Sequence, residues 1–171
     1  MKIILETQRL ILREMTVKIR QIKPAEYSAL EDFLYHALFI PAGTALPPHE
    51  IIYEPDIYIY VDDFGGKDDC GVVAEQDGRI VGAAWTRIIP AFGHVDDETP
   101  ELAISVLPEW RGQGIGTTLL TRLFELLCAC GYRRTSLSVQ KANPAVRLYQ
   151  SVGYKIIREN DADYIMVKAL P

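Results

Sequence analysis

A chain of 171 residues, 49% hydrophobic and 24% charged, has the size and mix of one globular domain. No run approaches the ~18 apolar residues of a membrane-spanning helix, and Glu6 interrupts the first apolar run too early for a signal-peptide core. The net charge of −5, from 18 basic and 23 acidic residues, argues against nucleic acid as a partner and is compatible with a cationic one.

The cysteines add little. Cys70 stands alone in the sequence, and Cys128 and Cys130 are too close to bridge each other on a helix. No Cys/His spacing suggests a metal, and a reduced cytoplasmic setting is the default. RLILR (9–13) and VKIRQI (17–22) both read as an opening strand, with basic and apolar residues alternating at period two. One strand is enough to open an α/β domain. Residues 1–16 are therefore read as an addition to the core of a single domain spanning 1–171. The expected role of that addition is an edge strand or subunit contact in a monomer or homodimer.

A helix is expected from Pro24 to about Ile40, with Tyr27, Leu30, Leu34 and Leu38 on one face. Residues 51–61 read as a second helix. VVAEQ and RIVGAAWTRII flank Asp77-Gly78, a preferred hairpin turn. An acidic loop (90–99) leads to the strand ELAISVL (101–107). A helix runs from Ile115 to Cys130 and ends at Gly131. TSLSV (135–139) is a strand, Asn143 caps a helix opening at Pro144, and YKIIR and YIMVKAL form a last hairpin. The order β-α-(α)-β-β-β-α-β-α-β-β is that of a mixed α/β domain.

WRGQGIGTTLL (110–120) joins a strand to a helix. The first N–H groups of a helix have no internal partner and lie at the positive end of its dipole, so this turn suits an anion. Gly112, Gly114 and Gly116 leave room for close approach. A P-loop is excluded because its Gly-Lys-Ser/Thr is missing, and a Rossmann turn because the spacing is GxGxG.

With Arg111, Gly114 and Gly116 after VLPEW, and Asn143, Ala145, Leu148, Tyr149, Gly153 and Tyr154 in a second block, the sequence resembles the GNAT superfamily of N-acetyltransferases. Asn143 lies 27 positions after Gly116, a usual family spacing. GHVDDETPELAISVLPEWRGQGIG also resembles one subgroup of that family. The resemblance implies a mixed central sheet, splayed between strands 4 and 5 and flanked by helices.

It implies acetyl-CoA as acyl donor, with no metal. The pyrophosphate would lie on the amides of Arg111, Gly112, Gln113, Gly114, Ile115, Gly116 and Thr117. The pantetheine arm would pair with Ile104, Val106 and Leu107, and Asn143 would contact the cofactor. Tyr149 matches the tyrosine that faces the coenzyme sulfur as general acid, and Glu101 matches a catalytic glutamate acting as base. Glu98, His94 and a water chain remain open as alternatives for the base, and the Val106 N–H is the implied oxyanion donor.

The expected activity is acetylation of a primary amine of a small molecule or peptide, by direct attack in a ternary complex. A protein N-terminal or lysine acetyltransferase is the alternative. A non-catalytic acyl-CoA-binding sensor is the rival of another class. The acidic residues Asp96, Asp97, Glu98 and Glu101 suggest a cationic acceptor, and Trp85 and Tyr35 are candidate lining residues for its pocket.

Overall fold

The computed structural model describes residues 16–171. The proposed strand at 9–13 and the role given to residues 1–16 therefore lie almost wholly outside the described residues. The helices are α1 (Leu30–Ala37), α2 (Pro55–Tyr58), α3 (Ile115–Ala129) and α4 (Ala145–Ser151). The strands are β1 (Lys18–Gln21), β2 (Cys70–Gln76), β3 (Arg79–Arg87), β4 (Glu101–Val106), β5 (Arg134–Gln140), β6 (Lys155–Glu159) and β7 (Asp163–Ala169). Among the described residues these seven strands form one sheet in the order β1-β2-β3-β4-β5-β7-β6.

The expected element order holds, with differences at the first two helices. The chain from Pro24 to Ala29 is a 3-10 helix, and only Leu30–Ala37 is α-helical. The buried positions on α1 are Leu30, Phe33 and Leu34. Leu38, expected on that face, is already extended with ψ 125°, so the helix stops short of Ile40. The 51–61 helix is two short pieces, a 3-10 turn at His49–Tyr53 and α2. At the β2–β3 turn, Asp77 and Gly78 have φ of 49° and 79°, the positive pair that a type I′ hairpin requires.

Strand alternation sorts the core to two faces. Val72, Ala74, Ala84, Leu102 and Val106 meet Leu119, Leu120, Leu123 and Leu127 of α3. Val73, Ala83 and Trp85 meet Leu30, Phe33 and Leu34 of α1. The sheet is antiparallel except between β4 and β5. That parallel pair registers only at Glu101 with Ser136, whereas β3 and β4 register along the whole of β4. Beyond Glu101 the two central strands part, and the sheet opens.

Candidate active site

The opening is where the chemistry collects. A cleft of about 790 Å³ runs from the glycine loop to the end of α1, lined by Gly112, Gly114, Gly116, Thr117, Ile104 and Tyr149 among others. A smaller cavity of about 280 Å³ is lined from one face by Leu34, Tyr60 and Ala103 and from the other by Leu102, Val139 and Tyr149. Ala37, Leu38, Phe39, Ile104, Asn143 and Tyr149 line both. The two spaces thus meet where β4 and β5 diverge, making a passage through the sheet.

The glycine loop prepares one end. Gly112 and Gly114 have φ of 73° and 80°, and no heavy atom of the described residues lies within 4 Å of where a Cβ would stand on either. The chain takes a left-handed path there that a side chain would strain, and the space above it is open. The hydrogen bond from Thr118 N to Gly114 O, 3.1 Å, is the first along α3. The amides of Ile115, Gly116 and Thr117 come before it and are helix-start donors with no partner among the described residues. The Arg111 amide is different, since it donates to Pro108 O at 3.3 Å.

The Arg111 guanidinium also does something the sequence did not suggest. Its Nε donates to Val106 O at 2.9 Å and its Nη2 to His36 O at 3.2 Å. It clamps the end of β4 to the C-terminal end of α1, where a cation suits the helix dipole. Gln113 does not line the cleft, and its side chain reaches back to Glu109 O at 3.5 Å.

On β4, the amide of Leu107 donates to Val81 O at 2.9 Å. Antiparallel pairing alternates, so Ser105 and Ala103 also bond to β3, while Ile104 and Val106 turn their backbone groups toward the gap. Val106 O is taken by Arg111, which leaves the Val106 N–H and both Ile104 groups facing the opening. Leu107 differs from them: its amide is engaged on β3 and its carbonyl already accepts from Trp110 N at 2.8 Å.

Tyr149 projects from α4 into both spaces and packs edge-on against Tyr154, with ring centroids 5.9 Å apart. Enclosure by protein pushes its phenol up to about 12, so it stays protonated throughout the neutral range. Asn143 Oδ1 accepts from Ala145 N at 2.9 Å, a helix cap, while the residue also lines the cleft.

Glu101 lies on the opposite face of the sheet from Ile104 and Val106. It is 2% exposed. Its Oε1 accepts from the Tyr60 hydroxyl and from Gly93 N. Among the described residues its Oε2 has no hydrogen-bond partner, nor does Oγ of Ser136, its register partner on the same face. Burial raises the carboxyl above the ordinary glutamate range, against the lowering effect of Tyr60 and Gly93. Burial and the adjacent carboxylate raise the Tyr60 phenol as well, so the shared proton stays on Tyr60.

Tyr60 is held from behind. Trp85 Nε1 donates to Tyr60 O at 2.9 Å. Arg87 Nη1 donates to Ile59 O and Asp62 O at 2.9 and 2.6 Å, and its guanidinium pairs with Asp69. Trp85 is therefore a core residue that braces Tyr60 and does not line the pocket. Gly93 is a close-approach glycine: a Cβ there would stand 2.7 Å from Glu101 Oε1, from Leu137 C and from Ser138 N.

A model of the acetyltransferase (GNAT) family matches residues 31–154. The chain belongs to the GNAT family of acetyltransferases. Mycothiol acetyltransferase of Thermobifida fusca is 34% identical over 96 residues, covering 54% of this chain and 29% of that protein. The N-alpha-acetyltransferase of Sulfurisphaera tokodaii is 30% identical over 110 residues, covering 59% of this chain and 65% of that protein. The chain thus spans less than a third of the mycothiol enzyme's length. Among solved structures, PaiA N-acetyltransferase of Thermoplasma acidophilum in complex with coenzyme A superposes with a TM-score of 0.65 at 19% identity. That match covers 91% of this chain and 99% of the other.

Within this GNAT fold, most of the residues singled out from the sequence converge on the passage, and the acidic run does not. Asp96 accepts from Thr99 Oγ1 at 2.7 Å and pairs with Arg134. Thr99 first, with Glu98 N and Arg134, holds its carboxyl below the usual range. Asp97 and Glu98 point to solvent. His94 Nδ1 is 3.0 Å from Ile89 O, on the loop. Only Glu101 of that run reaches the interior, so the run is not one cationic attractor. Tyr35 lines the glycine-loop cleft, where its hydroxyl donates to Pro47 O at 2.7 Å. Tyr60 and Gly93 were missed. Tyr60 sits in an irregular segment, and only the fold brings Gly93 against Glu101. Among the described residues no group of three or more His, Cys, Asp or Glu is placed to hold a metal, and no helix is long and apolar enough to cross a membrane.

Proposed function

We propose that this GNAT chain moves the acetyl group of acetyl-CoA directly to a primary amine of a small molecule or peptide within a ternary complex. The observation that carries this reading is the passage through the sheet. It joins the glycine-loop cleft and the protonated phenol of Tyr149 to a cavity lined by Tyr60, whose hydroxyl donates to the buried carboxylate of Glu101 behind it.

The residues fit the donor. The space over Gly112 and Gly114 is open, and the amides of Ile115, Gly116 and Thr117 are suited to phosphate. The gap-facing groups of Ile104 and Val106 form an edge to which an extended amide-bearing chain can pair. Acetyl-CoA supplies the acetyl group as a thioester.

The amine arrives protonated, its pKa being near ~10. Glu101 Oε2 takes one proton, and its raised pKa makes it a stronger base than an exposed glutamate. The Val106 N–H stabilises the developing negative oxygen. Tyr149 gives its proton to the departing sulfur and regains one from the amine nitrogen. A phenol at about 12 is a weaker acid than a thiol near ~8.5, so those two transfers must be coupled.

An amine panel with acetyl-CoA, following free thiol and acetylated product, tests the reading. The panel includes small amines, peptides with free N-termini and lysine peptides. Stoichiometric thiol and product with one class are expected, and preference for peptides selects the protein-acetylating alternative. Acetyl-CoA binding without thiol release from any amine would mark a non-catalytic acyl-CoA sensor.

A further inference from the structure

A second constellation lies away from the cleft. Cys70 opens β2, Cys130 follows the last residue of α3, and their sulfurs are 3.8 Å apart across a sequence separation of 60. Cys70 is buried, Cys130 is exposed, and both are free thiols. A further contact holds the segments together. Tyr132 Oη donates to Asp68 Oδ1 at 2.8 Å, tying residues just after Cys130 to residues just before Cys70. Gly131, at φ 88°, turns the chain out of α3 while Tyr132 N donates to Leu127 O at 3.0 Å.

We propose that Cys70 and Cys130 form a reversible dithiol–disulfide pair, a covalent modification site that staples the end of α3 to β2 without gating acetyl transfer. From 3.8 Å, the sulfurs need to close by about 1.8 Å to reach the ~2.05 Å of a disulfide. Side-chain rotation at the exposed Cys130 supplies movement of that size. Cys128 is excluded as the partner of Cys130 because residues two apart on a helix end point to different sides.

The oxidant is a low-molecular-weight disulfide, RSSR. The Cys130 thiolate attacks one of its sulfurs, forming a mixed disulfide and releasing RS⁻. The Cys70 thiol then loses its proton to the departing sulfur as it attacks the Cys130 sulfur, closing the bond and releasing the second RSH. Two protein thiols are oxidised, and RSSR is reduced to two RSH. Burial holds Cys70 in its thiol form, so Cys130 reacts first.

The glycine loop lies at the other end of α3. The helix has 15 residues, which at 1.5 Å each puts the staple roughly 22 Å away. The full chain is incubated with oxidised glutathione, thiols are titrated after denaturation, and linked peptides are mapped by mass. The expected result is a fall from three thiols to one, a Cys70–Cys130 peptide and full recovery with dithiothreitol. Cys130→Ser should prevent the link, and Cys128→Ser should leave it intact. Oxidised and reduced protein should turn over acetyl-CoA at the same rate. A persistent glutathione adduct on Cys130, a link through Cys128, an intermolecular dimer or three remaining thiols would overturn the pairing. A rate that differs between the redox forms would overturn its independence from the cleft. The link is read by mass, so it stands or falls separately from the acetyl-transfer reading.

Discussion

Replacing Tyr60 by Phe removes one hydroxyl, the donor to Glu101 Oε1, and keeps the ring. A hydrogen bond to a charged group contributes about 1.5–3 kcal/mol, and each pKa unit corresponds to about 1.36 kcal/mol. Gly93 N remains bonded to the same oxygen at 2.7 Å, which places the effect at the low end, about one unit. Glu101 already titrates above the ordinary range because it is buried, and loss of Tyr60 raises it further. A base works only above its pKa, so the acidic limb of kcat/KM should move about one unit to higher pH, with the plateau rate retained. Stability follows the same linkage. The folded state holds the Glu101 proton more tightly than the unfolded chain, so stability falls as pH rises from the unfolded value through the folded one. Tyr60→Phe extends that window upward and should cost about 1–1.5 kcal/mol at neutral pH. A pH–rate profile from thiol release, with thermal denaturation at several pH values, measures both. An acidic limb that stays in place, or moves to lower pH, would refute Tyr60 as the group that positions and charges Glu101.

Tyr149→Phe should slow turnover by roughly 10²–10⁴-fold and leave the acetyl-CoA dissociation constant unchanged, as read by single-turnover kinetics and calorimetry. Gly114→Val places a branched side chain at φ 80° in the open space of the cleft. It should cost about 1–2 kcal/mol from the left-handed backbone and abolish thermal stabilisation by acetyl-CoA, which reaches about 2.7 kcal/mol at a hundredfold excess over Kd in the parent. Gly93→Ala drives a Cβ to within 2.7 Å of Glu101 and the β5 backbone. The expected cost is about 1–3 kcal/mol, with a fall in kcat greater than the change in the KM for acetyl-CoA.

The elements with strong local signals were legible in the sequence. Asp77-Gly78 announced its hairpin, Gly131 its helix end, and the glycine loop the start of α3, because turn geometry is written in adjacent residues. Family spacing singled out Tyr149 and Asn143, and both line the cleft. What could not be read depends on which strands separate. The Leu107 amide is engaged because hydrogen bonding alternates along β4, a matter of register that its side chain does not reveal. The acidic run looked like one cluster, but Asp96 is drawn to Arg134 on β5 while Glu101 turns inward under Tyr60. Cys70 and Cys130 touch only because α3 packs along β2.

Glu101→Gln tests the central claim most directly, measured as kcat with the preferred amine beside the melting temperature at neutral pH. Glutamine keeps the shape and can accept from Tyr60 and Gly93, but it cannot take a proton. Removing a buried charge whose folded pKa is raised relieves a cost that is greatest above that pKa. The account predicts a rate lower by roughly 10²–10⁴-fold in a protein at least as stable as the parent at neutral pH. A variant that turns over at the parental rate would contradict it.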